Sequence, residues 1–361
     1  MIRAWCYYLP LLCLLSSTSV QALGLLDAYD LALRNDPTFQ AAIKERDAGE
    51  ENRAIGRAGL LPNLSWSYNN SRNQSEVTQE TVRGDVTNDR DYRSYASTLT
   101  LQQPLLDYEA YARYRQGSAQ ALFSDERFRG KSQELAVRLL SAYSQALLAQ
   151  ERIELSRAQK RAYAERLQLN ERLLKGGEGT RTDVLETQAR LSLALAQEIE
   201  AQDQQDAALR ELQAIVGEPL QIDELDPLTR QFQIQPLLPN RFDSWRDLAM
   251  ANNPDLASQQ QALRVAEYEV ERKRAGHLPK VSLYASSRQT SSDSESSYNQ
   301  KYDTNTVGIQ VSLPLFAGGS VSASTRQAAS QLSQAQFELD AKTATTLNEL
   351  RKQFNLNTSA A

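Results

Sequence analysis

Val307-Gly308-Ile309-Gln310-Val311-Ser312-Leu313-Pro314-Leu315-Phe316-Ala317-Gly318-Gly319 opens on strict alternation and closes on a proline and a glycine pair. Val307, Ile309, Val311 and Leu313 fall on one side of a strand and Gly308, Gln310 and Ser312 on the other, because successive strand side chains point to opposite faces. The strand therefore has one apolar and one polar face. Upstream, Val281, Leu283 and Ala285 alternate in the same way with Ser282, Tyr284 and Ser286, and a Ser-rich stretch, Gln289–Asp303, reads as the polar loop between the two strands.

The unit recurs earlier in the chain. Leu64, Trp66 and Tyr68 alternate with Ser65, Ser67 and Asn69. After a charged loop, Asn73–Asp91, the residues Tyr95, Ser97, Leu99 and Leu101 oppose Ala96, Thr98, Thr100 and Gln102. Gln103-Pro104-Leu105-Leu106 matches Leu313-Pro314-Leu315-Phe316 at a shift of 210 positions. Further upstream a shift of 217 carries Asp30-Leu31-Ala32 and Asn35-Asp36-Pro37 onto Asp247-Leu248-Ala249 and Asn252-Asn253-Pro254. The same shift brings Gly59, Leu61 and Pro62 onto Gly276, Leu278 and Pro279 without a gap. Repeats of this kind decide the architecture before any local reading does.

Each copy begins with a helix, over about Leu25–Arg57 and Phe242–Arg274. It is interrupted at Asp36-Pro37 and Asn253-Pro254, where the residue before proline avoids the α region, and stopped at Gly59 and Gly276. The hairpin follows. Then comes a helical region with no proline between Pro104 and Pro219 and one strong break, Gly176-Gly177-Glu178-Gly179. The helices are expected at Leu105–Lys175 and Thr182–Val216, the first about 100 Å long at 1.5 Å per residue. Helices of that length pack side by side as coiled coils. Leu135, Leu139, Ala142, Ala146 and Ile153 form one apolar stripe; Leu191, Ala194, Leu195, Leu209, Leu212 and Ile215 form the other. Helices alone fit a cytoplasmic coiled coil equally well.

The start of the chain reads as a targeting signal: Arg3, a short apolar run from Ala4 to Leu15, and a small-x-small site at Val20-Gln21-Ala22. Both cysteines, Cys6 and Cys13, fall inside it, so the mature chain has no thiol. The organisation expected is a signal peptide over 1–22, repeat one over 23–217, a Pro-rich linker over 218–240, and an incomplete repeat two over 241–361. Repeat two is read as incomplete because over a hundred residues of helix follow Pro104 and only Leu315–Ala361 follow Pro314.

Several function classes are excluded. Formal net charge is −5 with no long basic run, which argues against a nucleic-acid partner. No long apolar helix follows the leader, but a β-barrel escapes that test because its strands are short and half apolar. The single histidine, His277, cannot make a two-His metal site and leaves one candidate for a Ser-His-Asp triad, at a helix-to-strand junction. No Gly-rich Lys-Ser/Thr phosphate loop occurs. No cofactor is expected, and the protein reads as a passive conduit.

Four strands of about ten residues suit a bilayer, yet four strands cannot close on themselves, and an open edge cannot sit in lipid. The barrel must be shared between chains. An eight-stranded barrel is filled by its own side chains, so a conducting assembly favours three chains or more. Trp66, Tyr68, Tyr95, Tyr284 and Tyr302 are the aromatic-girdle candidates.

Signal, helix, hairpin, long helices, and then the same again resembles the TolC family of outer-membrane factors. Pro314-Leu315-Phe316-Ala317-Gly318-Gly319 resembles the family's step from strand to helix, and Gly179-Thr180-Arg181-Thr182-Asp183-Val184-Leu185 resembles its helix–helix turn. Within the family the likeness is to the type I secretion branch, the alkaline-protease exporters. The resemblance implies an α+β membrane protein: a long antiparallel α-helical coiled-coil barrel, plus four β-strands per chain in a shared transmembrane barrel. It implies a homotrimer in the outer membrane, extending into the periplasm and working with a periplasmic adaptor (membrane fusion protein) and an inner-membrane ABC transporter. The expected adaptor contact is the turn at Gly176, Gly177, Gly179, Thr182 and Asp183, with Asp183 and Glu186 as its cap pair. The expected lipid-facing residues are Val307, Ile309, Val311 and Leu313; the strand-to-helix step is assigned to Pro104, Pro314, Gly318 and Gly319. The family's acidic gate falls in the part absent from repeat two, so no gate residue is assigned. The alternatives are a small-molecule or drug efflux duct and a periplasmic coiled-coil adaptor without a barrel.

Overall fold

The structure is a computed structural model that describes residues 22–227, 236–294 and 297–360. The leader expected over 1–22 lies outside the described residues except for Ala22, as does part of the expected linker, 228–235. In chain order the elements are α1 (Leu25–Asn35), α2 (Pro37–Ala58), β1 (Asn63–Thr81), β2 (Gly84–Leu106), α3 (Tyr108–Lys175), α4 (Arg181–Val216), α5 (Phe242–Asn252), α6 (Pro254–Arg274), β3 (Lys280–Ser294), β4 (Ser297–Ser312) and α7 (Ser320–Ala360). The order of α1 to α3 recurs in α5 to α7. The compact units, however, cut across that repeat: one is Met1–Gln40 with Ser132–Gln233, the other Ala41–Lys131 with Ile234–Ala361. Both hairpins fall in the second unit because they share one sheet.

In the first unit α1 lays Ala28 and Ala32, both fully buried, toward α4. The expected stripe on α3 is the core: Leu135, Leu139, Ala142, Ala146 and Ile153 are each no more than 2 % exposed. On α4, Ala194, Leu212 and Ile215 are buried, but Leu195 points out at 44 % exposure. Asn35 Nδ2 donates to the Val216 carbonyl at 2.9 Å, and Gly217 ends α4 in the left-handed region, with φ 78°. The Tyr143 hydroxyl lies 2.9 Å from the carbonyl oxygens of both Leu23 and Asp226, tying the segments before α1 and after α4 to α3. One charge is buried on the α3–α4 interface, Glu198, matched by Lys160 Nζ at 2.6 Å and Arg157 Nε at 3.6 Å.

The proline breaks work as capped restarts. Asp36, 2 % exposed, accepts from the Phe39 backbone N–H at 3.1 Å and from Arg138 Nη2 at 2.5 Å. In the second unit Asn253 does the same for α6, accepting from Leu256 N–H at 3.0 Å. A short polar side chain there satisfies a donor that the first helical turn leaves free.

In the second unit α7 packs along α6 and α5. Arg351 stacks over Phe242, and Lys342 Nζ pairs with Asp255 at 2.6 Å. The α2–α3 crossing is very close. A Cβ on Gly117 would sit 2.2 Å from the Asn52 carbonyl oxygen, and one on Gly56 would sit 2.8 Å from that of Arg113.

All four strands join one antiparallel sheet in the order β1-β2-β3-β4. They run 19, 23, 15 and 16 residues. Strands of about ten residues with polar loops over Asn73–Asp91 and Gln289–Asp303 are therefore corrected. The β1–β2 ladder continues unbroken from Asn63↔Gln102 to Thr81↔Gly84. Backbone pairing needs no apolar face, and polar cross-strand pairs carry it outward: Arg72 with Asp91 at 2.6 Å and Thr78 with Thr87 at 3.0 Å.

Gly117→Ala tests the helix crossing. Alanine raises helix propensity by about 1 kcal/mol, yet this substitution should lower the thermal unfolding temperature, since overpacking of this kind costs about 1–3 kcal/mol. A raised unfolding temperature would show that the helices do not meet there.

Candidate functional site

The register decides what the sheet can do. Leu64 pairs with Leu101 and Trp66 with Leu99; Leu101 pairs in turn with Ala285; and Val281, Leu283 and Ala285 pair with Val311, Ile309 and Val307. Directly paired residues share a face, so four separate alternations merge into one apolar face. It is exposed: Leu64 65 %, Trp66 68 %, Ile309 65 %, Val311 65 %. Leu313, expected with this set, lies one residue past the end of β4. Trp66 stacks on Tyr68 and Tyr68 on Tyr95, at centroid separations of 6.3 and 6.4 Å, on the same face.

Tyr284 and Tyr302 do not join that aromatic group. Tyr284 pairs with Gln102 and Gly308, and Tyr302 with Thr290, all on the polar face. Proximity to a strand end suggested a girdle; the parity of the register decides against it for these two rings.

The two copies leave the sheet by different routes. Pro104 lies inside β2, beside a register irregularity between Pro104 and Leu106, where its missing N–H is tolerated. Asp107 then caps α3, accepting from Ala110 N–H at 3.0 Å. In the second copy Pro314 follows β4, and Gly318 and Gly319 adopt φ of 61° and 79° before α7 starts at Ser320. Two successive left-handed residues demand glycine. One step assigned jointly to Pro104, Pro314, Gly318 and Gly319 is therefore two different structures.

Sequence reading missed the clamp where sheet meets helix. Lys280, the first residue of β3, donates to Glu109 Oε2 at 2.6 Å and lies 3.6 Å from Asp107 Oδ2. The Lys280 hydrogen bond holds the Glu109 carboxyl below the usual carboxylate range, against the opposing effect of its partial burial. Beside it, Arg115 lies over the Tyr268 ring, 4.4 Å from its centroid, and Gln116 donates to Glu269 at 2.9 Å. Such pairs join residues more than 150 positions apart, a span over which no sequence period signals them.

The turn between α3 and α4 is tightly specified. Gly177 has φ 82°, and a Cβ on Gly179 would lie 2.9 Å from the Leu174 nitrogen. Thr180 is the cap of α4: its hydroxyl oxygen accepts from Asp183 N–H at 3.2 Å, while Asp183 Oδ2 accepts from the Thr180 N–H at 3.2 Å. The expected Asp183–Glu186 cap pair is corrected accordingly. Glu186 lies three residues past Asp183, nearly a full turn too far along the helix to reach back, and instead accepts from Arg190 at 2.7 Å. Below the turn, Asn170 Nδ2 donates to the buried Thr187 hydroxyl at 2.8 Å and locks the two helices together. Gly176, Gly177, Thr182 and Asp183 all remain exposed.

A sheet apolar on one face and polar on the other, unpaired beyond β1 and β4 among the described residues, joined to helices of 68 and 36 residues, defines a subunit of an outer-membrane channel. The sequence model of a family described as "Outer membrane efflux protein" matches residues 28–218 and 245–361. The chain belongs to that family. It is 60 % identical over 340 residues to the alkaline protease secretion protein AprF of Pseudomonas aeruginosa, spanning 94 % of this chain and 71 % of AprF. It is 53 % identical over 348 residues to the proteases secretion protein PrtF of Dickeya chrysanthemi, spanning 96 % and 75 %. Its fold matches the outer-membrane channel CmeC of Campylobacter jejuni with a TM-score of 0.76 at 18 % identity, covering 91 % of this chain and 70 % of CmeC.

The clamp predicts a pH dependence. Because the folded pKa of Glu109 is lowered, its contribution is present above its unfolded pKa of about 4.3 and is lost as pH falls through the folded value. Glu109→Gln should lower stability at pH 7 and converge with wild type in acid, as read by unfolding midpoints across pH. A difference that stays constant with pH would refute the clamp.

Proposed function

We propose that this chain is the outer-membrane duct of a type I protein secretion system. Three copies bring twelve strands into one barrel, apolar faces to lipid and polar faces to the lumen, and the helices extend into the periplasm. The observation that carries this reading is the register, which gathers the apolar sets of all four strands on one exposed face and, among the described residues, leaves β1 and β4 each with a free edge. Repeat one, 23–217, and repeat two, 241–361, each supply one hairpin.

Protein export is favoured over drug efflux by likeness to two relatives named for protease secretion, AprF and PrtF. The protein is a conduit and not an enzyme. Energy comes from an inner-membrane ABC transporter, reached through a periplasmic adaptor. The adaptor contact is the exposed turn at Gly176, Gly177, Gly179, Thr182 and Asp183, whose backbone is held by the Thr180–Asp183 capping box and is thus presented rigidly. Val307, Ile309, Val311 and Leu313 face lipid.

Two experiments test the proposal. Lysine at Ile309 or Val311 should reduce the heat-modifiable oligomer recovered from outer membranes much more than lysine at Gln310. A cation facing lipid costs about 2–4 kcal/mol near the bilayer midplane; equal losses would reverse the face assignment. At the tip, Thr182 is the clean probe, since it lies outside the capping box, whereas any side chain at Gly177 adds about 1–2 kcal/mol of left-handed strain. Thr182→Arg should cut protease export while oligomer yield stays at the wild-type level. Unchanged export would remove the turn from the adaptor surface.

A further inference from the structure

Gly308 sits in the interior of β4, directly opposite Tyr284 of β3. Glycine in a strand interior weakens it and needs a reason. The backbone supplies none, because the glycines with positive φ among the described residues are Gly84, Gly177, Gly217, Gly318 and Gly319. The reason is the ring. A Cβ at Gly308 would lie 2.8 Å from Cε1, Cζ and Oη of Tyr284 alike, so the phenol end of the ring occupies the space that a side chain at 308 would need. Cross-strand covering of a glycine by an aromatic ring is a known stabilising device in sheets.

The position gives that packing a consequence. Across the sheet the row runs Asn63, Gln102, Tyr284, Gly308. Along its own strand Tyr284 is flanked on this face by Ser282 and Ser286, and Gly308 is flanked by Thr306 and Gln310. Tyr284 is thus a large ring on a polar face of small side chains, and it can either lie along the wall or stand away from it.

We propose that Gly308 is a positioning residue that keeps Tyr284 against the wall, and that the pair sets the free bore of the duct at this level. The inference rests on the reading above, in which the polar face lines the lumen. A side chain at position 308 displaces the ring from the wall, and in a threefold assembly three rings then crowd one cross-section. Pore radius and lining side chains control what a channel passes, so the pair discriminates against bulky cargo more than against small ions.

The test uses the full-length protein in planar bilayers and in export assays, as wild type, Gly308→Ala, Tyr284→Ala and the double variant. Gly308→Ala should lower single-channel conductance and should lower export more steeply for larger cargo. Tyr284→Ala should conduct at least as well as wild type, and the double variant should match Tyr284→Ala. If Gly308→Ala does not assemble alone, mixed oligomers with wild type replace it, and conductance should step down with each variant copy. Wild-type conductance in assembled Gly308→Ala or in the mixed oligomers overturns the inference, as does a double variant as poor as Gly308→Ala. A wild-type protein that inserts and conducts nothing overturns the channel reading itself, which separates the two failures.

Discussion

A strand in lipid cannot leave its backbone N–H and C=O groups unpaired, since each costs several kcal/mol away from water. Among the described residues β2 and β3 meet this demand within the chain, while β1 and β4 meet it on one side only. That single constraint organises the rest. It explains why hairpins from two halves of the sequence lie in one sheet, and why the second compact unit draws on both repeats. On the reading proposed above it also accounts for the exposed apolar face, which lipid would cover, and for the edges, which further strands would pair.

The parts of the fold visible in the sequence are those where burial differs between faces. Alternation at Val307–Leu313 and Leu64–Tyr68 marks strands because one face is apolar. Where both faces meet water, as along Asn73–Asp91, the pattern disappears but the ladder does not, so the strands run on through residues that read as loop. The helix breaks at Asp36 and Asn253 were legible through proline's effect on its predecessor. The close approach at Gly117 was not, since a lone helical glycine carries no sign of what crosses it. At the turn after α3 the glycines are legible in the sequence, but the spacing of Asp183 and Glu186 points to the wrong cap. The capping box runs backward, from the third helical residue to the cap, and puts Thr180 in that role.

The two copies solve the same mechanical problems with different chemistry. Asp36 takes a charged partner in Arg138, whereas Asn253 caps its helix as a neutral side chain. One copy leaves the sheet through a bulge and an aspartate cap, the other through two left-handed glycines. What persists is the constraint, an orphan N–H to satisfy or a reversal to make, and not the residue. A repeat detected by identity alone therefore understates how far the architecture recurs.

The same distinction separates wall from cargo. Ser, Thr, Asn and Gln dominate the polar face of the hairpins near the helices, at Ser65, Ser67, Thr98, Thr100, Ser282, Ser286 and Gln310. These groups carry no charge of their own, and the charged side chain in their rows is Arg288, which pairs with Thr98 on the same face. A conduit must bind its cargo weakly enough to release it, and on the reading proposed above a wall built mainly of neutral polar groups suits that demand. Concentrated charge appears instead at the clamp around Lys280 and Glu109, where the sheet joins the helices and rigidity is needed.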